Sequence, residues 1–140
     1  MTTPQFSLLG FAIWTLIVPL GAVAFYRWSR ILTGGARIND FPADAVTGLD
    51  WYRRAMRAHA NCVENLPVFA SVVLLMSLIG VAGSWADALT LVVLIGRMLQ
   101  SSVHIFWKET VLTVSVRFTC YLLQALSTLA LAAALLQSGV

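Results

Sequence analysis

Long apolar stretches alternate with short polar ones along the chain, and this pattern predicts four helices that cross a membrane. The first stretch, residues 6–26, carries no charge, and about 20 apolar residues are enough for a helix to span the hydrocarbon layer. Pro19 lies inside it, where a membrane helix tolerates proline with a local kink. Further helices are predicted over about residues 50–82, 86–105 and 114–136.

The composition agrees with a membrane protein built as one domain. Of the 140 residues, 59% are hydrophobic and 11% are charged, whereas soluble domains average about 25% charged residues. The mean hydropathy is +0.84. We therefore expect an all-α integral membrane four-helix bundle that occupies residues 1–140 as a single domain.

Charge and cysteine content exclude two classes of partner. The formal net charge of +3 comes without a basic cluster interleaved with aromatic residues, so no nucleic-acid partner is expected. Cys62 and Cys120 lie in apolar stretches without CxxC spacing or neighbours at zinc-ligand intervals. We expect both cysteines to be small core residues and predict no metal site.

The basic residues predict the orientation of the bundle in the membrane. Loops rich in Lys and Arg stay in the cytoplasm. Lys108 lies in the third connection, and five arginines lie in or beside the first, namely Arg27, Arg30, Arg37, Arg53 and Arg54. The second turn and both tails have none, so we expect a multi-pass protein with both termini outside the cytoplasm. The short chain of 140 residues leads us to expect the inner membrane of a bacterium.

Polar residues inside the predicted helices recur on one face of each. Charges within a membrane helix cost about 2.5–3.5 kcal/mol each on insertion scales, so they face the bundle interior or a wet cavity. The i, i+4, i+7 spacing places together Arg57, Asn61, Glu64 and Asn65 in helix two, Arg97, Ser101 and His104 with Gln100 in helix three, and Arg117, Tyr121 and Gln124 in helix four. Three arginines against one glutamate indicate an anionic ligand.

A purely structural role is the alternative for these polar residues. Arg57 and Glu64 can form a structural ion pair, and Arg117 can extend towards lipid headgroups. His104 taken alone fits an interfacial histidine. His59 lies off the stripe of helix two, and either core packing or a contact between subunits accounts for it.

The start of helix two carries a motif that resembles a family signature. The segment is Arg57, Ala58, His59, Ala60, Asn61, Cys62, Val63, Glu64, Asn65, Leu66 and Pro67. Its Arg-Ala-His-x-Asn-x-x-Glu order is similar to that of the membrane-associated proteins in eicosanoid and glutathione metabolism. That family includes microsomal glutathione transferases, a prostaglandin E synthase and the lipoxygenase-activating protein. The resemblance extends over the four-helix layout and implies a homotrimer that holds glutathione between subunits.

The resemblance also implies roles for individual residues, with glutathione as co-substrate. The implied glutathione-binding residues are Arg57, Asn61, Glu64, Arg97, Gln100, His104 and Tyr121. Arg117 is implied to be the catalytic residue that stabilises the glutathione thiolate. His104 stands where relatives usually have tyrosine, and the connection before Arg117 is longer than in relatives.

The chemistry of these residues leads to an expected function and its alternatives. A thiol with a pKa of about 8.5 is only a few per cent ionised at neutral pH, and a neighbouring cation lowers that pKa. The expected protein is a membrane-bound glutathione-dependent transferase or peroxidase acting on small apolar electrophiles that arrive from the lipid bilayer along helices one and four. The alternative is a non-catalytic lipid- or glutathione-binding membrane protein. A proton-coupled exporter is disfavoured because helix one has no ionisable residue before Tyr26.

Overall fold

The computed structural model describes residues 1–42 and 45–138, and every regular element within them is helical. In chain order the elements are α1 (Thr3–Val18), a π-helical turn (Pro19–Ala24), α2 (Phe25–Leu32), α3 (Asp50–Ile79), α4 (Ser84–Phe106) and α5 (Val111–Ser138). The first three run on as one helix, so the described chain has four helices long and apolar enough to cross a membrane. This confirms the all-α four-helix fold expected from the sequence.

Proline shapes the first membrane helix. Pro19 has no N–H to donate to the preceding turn, and the helix widens into the π turn from Pro19 to Ala24. Beyond this turn, Tyr26 is buried and stacks on Tyr52 of α3, with ring centroids 4.2 Å apart. The widened turn is therefore followed by a firm contact between α2 and α3.

Four helix ends lie three or more residues from their predicted positions, and two of them have a clear local cause. The first membrane helix continues through its arginines to Leu32, because the charged turn is amphipathic and buries Tyr26. The second ends at Ile79 instead of residue 82. Gly80 has a φ of 80° and its N–H donates to the carbonyl of Met76 at 3.0 Å, which is the left-handed glycine cap that ends many helices.

The centre of the bundle is α4, which packs against α1, α3 and α5. Gly10 permits the close approach of α1, because a Cβ there would lie 3.0 Å from the Leu94 side chain. Three buried clusters follow one another along the bundle, one around Val18, Tyr26, Tyr52, Ala55 and Ile105, one around Phe11, Cys62, Phe69, Val73 and Val93, and one around Val72, Met76, Ala86, Leu131 and Leu135. These clusters hold the polar faces of α3, α4 and α5 in register.

Apolar side chains also cover much of the outside of the bundle. Exposed leucines occur on every membrane helix, for example Leu20, Leu78, Leu99 and Leu129. Exposed apolar patches larger than a few hundred Å² are rare on soluble monomers. The outer surface therefore needs lipid or other protein subunits to cover it.

Candidate functional site

A polar cavity of about 530 Å³ opens where α3, α4 and α5 meet. Its lining consists of Asn61, Glu64, Asn65, Arg97, Gln100, Val114, Arg117, Phe118 and Tyr121. These residues are spaced three or four apart on each helix, so each helix turns a single stripe towards the cavity. Of the eight residues that were expected to bind glutathione or act in catalysis, six therefore line this one cavity.

Arg97 is the most deeply buried charge of this cavity, with 1% of its surface exposed. Its guanidinium lies 5.3 Å from the ring centroid of Phe11, a cation–π distance. Within the described residues it forms no ion pair, and its Nε atom has no hydrogen-bond partner. A buried cation left in this state is costly, so Arg97 is available to an anionic group that enters the cavity.

Arg117 lies at the more accessible end of the same cavity. Its Nη1 donates to Oε1 of Glu109 at 3.2 Å, and its side chain is 21% exposed against 66% for Glu109. Exposed ion pairs contribute only about 0–1 kcal/mol. Glu109 therefore holds Arg117 weakly, and an incoming anion can replace it.

Two side-chain amides connect α4 and α5 beside the cavity. The Nε2 of Gln124 donates to Oε1 of Gln100 at 3.1 Å, and both side chains are buried. Gln124 belongs to the polar stripe of α5 but was not among the expected ligands.

Glu64 supplies the negative charge of the cavity. It is exposed, and the described part of the chain pairs it with no cation. The structural ion pair between Arg57 and Glu64, considered as an alternative from the sequence, does not form. A carboxylate in this state suits a ligand ammonium group.

Arg57 and His104 lie in a second cavity, of about 460 Å³, beside the first. Its lining consists of Asp50, Arg53, Arg54, Arg57, His104, Lys108 and Glu109. Because Glu109 lines this cavity and bonds to Arg117, one exposed ion pair connects the two spaces. Arg57 is exposed and His104 is buried with an unpartnered Nδ1 among the described residues.

Arg27, near the end of the first membrane helix, lines neither of the two cavities. The Nε of Arg27 donates to the hydroxyl of Tyr52 at 2.9 Å, and its guanidinium lies 5.4 Å from the ring centroid of Phe41. Arg30 donates to the carbonyl of Gly35 at 3.0 Å. Both arginines thus fasten the first loop.

His59 and the cysteines lie apart from the ligand-facing stripes. His59 is half-buried, and no described residue bonds to its Nδ1. Cys62 is buried with its Sγ 3.4 Å from the hydroxyl of Ser101, and Cys120 is half-buried; both are free thiols. Within residues 1–42 and 45–138, no three His, Cys, Asp or Glu side chains are grouped so as to hold a metal ion.

Sequence reasoning missed some of the cavity lining. Asn65 shares the stripe of Asn61 but was not counted as a ligand, and its Nδ2 donates to the carbonyl of Asn61 at 2.7 Å. Val114 and Phe118 form the apolar side of the cavity. Val114 lies three residues before Arg117, so helical spacing alone predicts that it shares the same face. Phe118 directly follows Arg117, and helical spacing gives no reason to expect it in the lining.

The fold and the cavity together define a class: an integral membrane four-helix bundle with an arginine-containing polar cavity between three of its helices. The model of the MAPEG family matches residues 6–137. The chain therefore belongs to the MAPEG family, whose members are membrane proteins of eicosanoid and glutathione metabolism. No curated protein and no solved structure matches the chain.

Proposed function

We propose that the protein is a membrane-bound glutathione-dependent transferase or peroxidase that acts on small apolar electrophiles. The observation that carries this proposal is Arg97, a fully buried guanidinium without an ion pair in the described structure, at the wall of a cavity that also contains Arg117. Such an arrangement favours an anionic ligand. Glutathione offers two carboxylates, and family membership makes it the first ligand to test.

The polar groups of the cavity match the charges of glutathione. Arg97 binds one carboxylate, and the unpaired Glu64 receives the ammonium group. Asn61, Gln100 and Tyr121 supply hydrogen-bonding groups along the peptide. Arg57 and His104 reach the ligand from the second cavity, at the end where Glu109 connects the two spaces.

Arg117 is the proposed catalytic residue. Its guanidinium stabilises the thiolate after Glu109 has been displaced, and each unit by which the thiol pKa falls corresponds to about 1.4 kcal/mol. In a transfer, the thiolate forms a C–S bond as the electrophile's leaving group departs with the bonding electrons. In a reduction, the thiolate attacks a peroxide oxygen, the O–O bond breaks, and an alkoxide leaves and takes up a proton. A second glutathione thiol then displaces water from the resulting sulfenic acid and forms the disulfide.

The proposal includes the assembly and the location of the protein. A homotrimer would cover part of the apolar outer surface, with lipid covering the rest. We place the protein in a bacterial inner membrane with both termini outside the cytoplasm. The mass of the purified complex tests the assembly, and a mass other than three copies contradicts it.

Titration of glutathione into the purified protein in detergent is the direct test. We expect heat of binding together with the ultraviolet absorbance of a thiolate, and the loss of that absorbance in Arg117→Ala with binding retained. Arg37→Ala is the matched control, because Arg37 carries the same charge on an exposed loop position outside both cavities.

The same titration separates the two functional classes. A thiolate signal that persists in Arg117→Ala contradicts the catalytic role of Arg117. Binding without any thiolate in the unaltered protein supports the non-catalytic alternative, and absence of binding at millimolar glutathione overturns the proposal.

A further inference from the structure

An apolar groove of about 300 Å³ adjoins the polar cavity and runs between α3 and α5. Its lining consists of Phe11, Asn65, Val68, Phe69, Val93, Arg97, Tyr121, Gln124, Ala125, Thr128 and Leu129. Asn65, Arg97 and Tyr121 belong to both spaces. Val68 and Leu129 are exposed at its edge, so the groove leads from the outer surface of the bundle to the polar cavity.

One buried acceptor in this groove has no donor. Gln124 is 3% exposed, and its Nε2 donates to Oε1 of Gln100 at 3.1 Å and to the carbonyl of Cys120 at 2.7 Å. Because a backbone carbonyl only accepts hydrogen bonds, the contact with Cys120 fixes which end of the amide is the nitrogen. The Oε1 atom is therefore the end that lacks a partner among the described residues.

The position of this amide depends on the absence of a side chain at Gly96. A Cβ at residue 96 would lie 3.0 Å from Cγ and 3.3 Å from Nε2 of Gln124. A side chain at residue 96 would crowd the amide, and Gln124 would have to shift by a few tenths of an ångström. An unsatisfied buried acceptor is rare and destabilising, and a ligand with a hydrogen-bond donor would remove that cost.

We propose that this groove binds an apolar molecule that carries a hydroxyl group, and that Gln124 selects it by accepting the hydroxyl hydrogen bond at Oε1. The apolar body lies against Phe69, Val93 and Leu129. Describing this molecule as the second substrate rests on the proposed function, since the groove meets the glutathione cavity at Arg97. Gln124 is then a specificity-determining residue and takes no part in the chemistry.

A matched pair of ligands tests the hydrogen bond. We would measure equilibrium binding of 4-octylphenol and of its methyl ether, 4-octylanisole, to the purified protein in one detergent, with partition into protein-free detergent subtracted. The phenol should bind roughly tenfold more tightly, which corresponds to about 1.4 kcal/mol. Equal binding of the two compounds, or binding of neither, overturns the proposal.

Three variants connect this preference with the amide. Gln124→Met keeps the length of the side chain but removes the hydrogen-bond acceptor. It should abolish the preference by weakening the binding of the phenol, with the binding of the anisole unchanged. Gly96→Ala should reduce it by displacing the amide. Gln137→Met is the control with an unchanged preference, because Gln137 is exposed near the end of the same helix and lies outside the groove lining.

The outcomes of these variants are separable from those of the glutathione titration. A preference for the phenol that persists in both Gln124→Met and Gly96→Ala contradicts the role of Gln124. If Gln124→Met does not fold, Gly96→Ala still tests the proposal, because it retains Gln124. The phenol and anisole binding is measured without glutathione, so it does not depend on the proposed function. A protein that prefers the phenol but binds no glutathione in the titration would overturn the proposed function and leave the selectivity of the groove intact.

Discussion

Arg97 is a buried charge, and its proposed role in binding should come at a cost in stability. Replacing buried ionic side chains with apolar residues of similar size is often neutral or stabilising by about 1–4 kcal/mol, and Arg97 has no ion pair in the described chain to lose. We expect Arg97→Met to keep or raise the unfolding temperature in detergent. Glutathione affinity should fall at least about tenfold, as measured by titration calorimetry.

Arg27 provides the matched control, because the same charge there has partners. It donates to Tyr52 at 2.9 Å and lies over the ring of Phe41. Arg27→Met should therefore lower the unfolding temperature and leave glutathione affinity within about twofold, a difference of less than 0.5 kcal/mol by the tenfold rule of about 1.4 kcal/mol. A loss of stability in Arg97→Met with unchanged affinity would instead assign Arg97 a structural role.

Periodicity explains why individual site residues could be predicted, and also where that prediction stops. The i, i+4, i+7 spacing identifies residues on one face of a helix, and seven of the eleven residues on the three polar stripes line one cavity. Spacing says nothing about how far one helix is shifted along another. Arg57 lies one turn before Asn61, on the same stripe, and that difference in depth puts it in the second cavity.

The loop between α2 and α3 closes on a pair of stacked tyrosines, and Gly48 is the residue that permits it. Gly48 has a φ of 130°, and a Cβ there would lie 2.7 Å from the hydroxyl oxygen of Tyr26 and 3.2 Å from Cδ1 of Tyr52. We expect Gly48→Ala to destabilise the protein by about 1–3 kcal/mol. Chemical or thermal unfolding in detergent, followed by circular dichroism, gives the measurement.

Gly21 is the corresponding control on the first membrane helix. A Cβ at Gly21 would meet nothing within 4 Å, and alanine favours helix over glycine by about 0.5–1 kcal/mol. Gly21→Ala should therefore be neutral or slightly stabilising. Equal effects of the two substitutions would show that the contact of the loop with Tyr26 does not support the fold.

Hydropathy predicted the membrane helices well, because a helix that crosses lipid must be apolar along its length. The helix ends were less predictable, since they depend on interactions that hydropathy does not contain. The first helix passes its first charge because Tyr26 packs on Tyr52. The π turn at Pro19 was expected only as a kink, because the widening of a helix depends on what its two halves contact.

At the scale of the whole molecule, the packing of α4 determines the site. It contacts each of the other membrane helices, and its polar stripe lines the cavity where α3 and α5 also meet. The sequence placed the apolar route to the sulfur along helices one and four. The structure shows an apolar groove that adjoins the polar cavity between α3 and α5, with Phe11 of α1 in its wall, and the route along helices one and four stays a prediction. The packing of the four helices decides which of their faces meet. The pattern of polar residues on one helix does not show this.

The distribution of charge over the whole chain predicts how the bundle lies in the membrane. Five arginines lie in or beside the first connection and Lys108 lies in the third, while the turn at residues 80–83 has no basic residue. Such loops stay in the cytoplasm, so Thr33 should be cytoplasmic and Ser84 external; both are exposed.

We would introduce Thr33→Cys or Ser84→Cys after replacing Cys62 and Cys120 with alanine. A membrane-impermeant maleimide applied to intact bacterial cells should label the cysteine at 84, and should label that at 33 only after lysis. The reverse pattern would invert the orientation, and labelling of both in intact cells would contradict a single orientation.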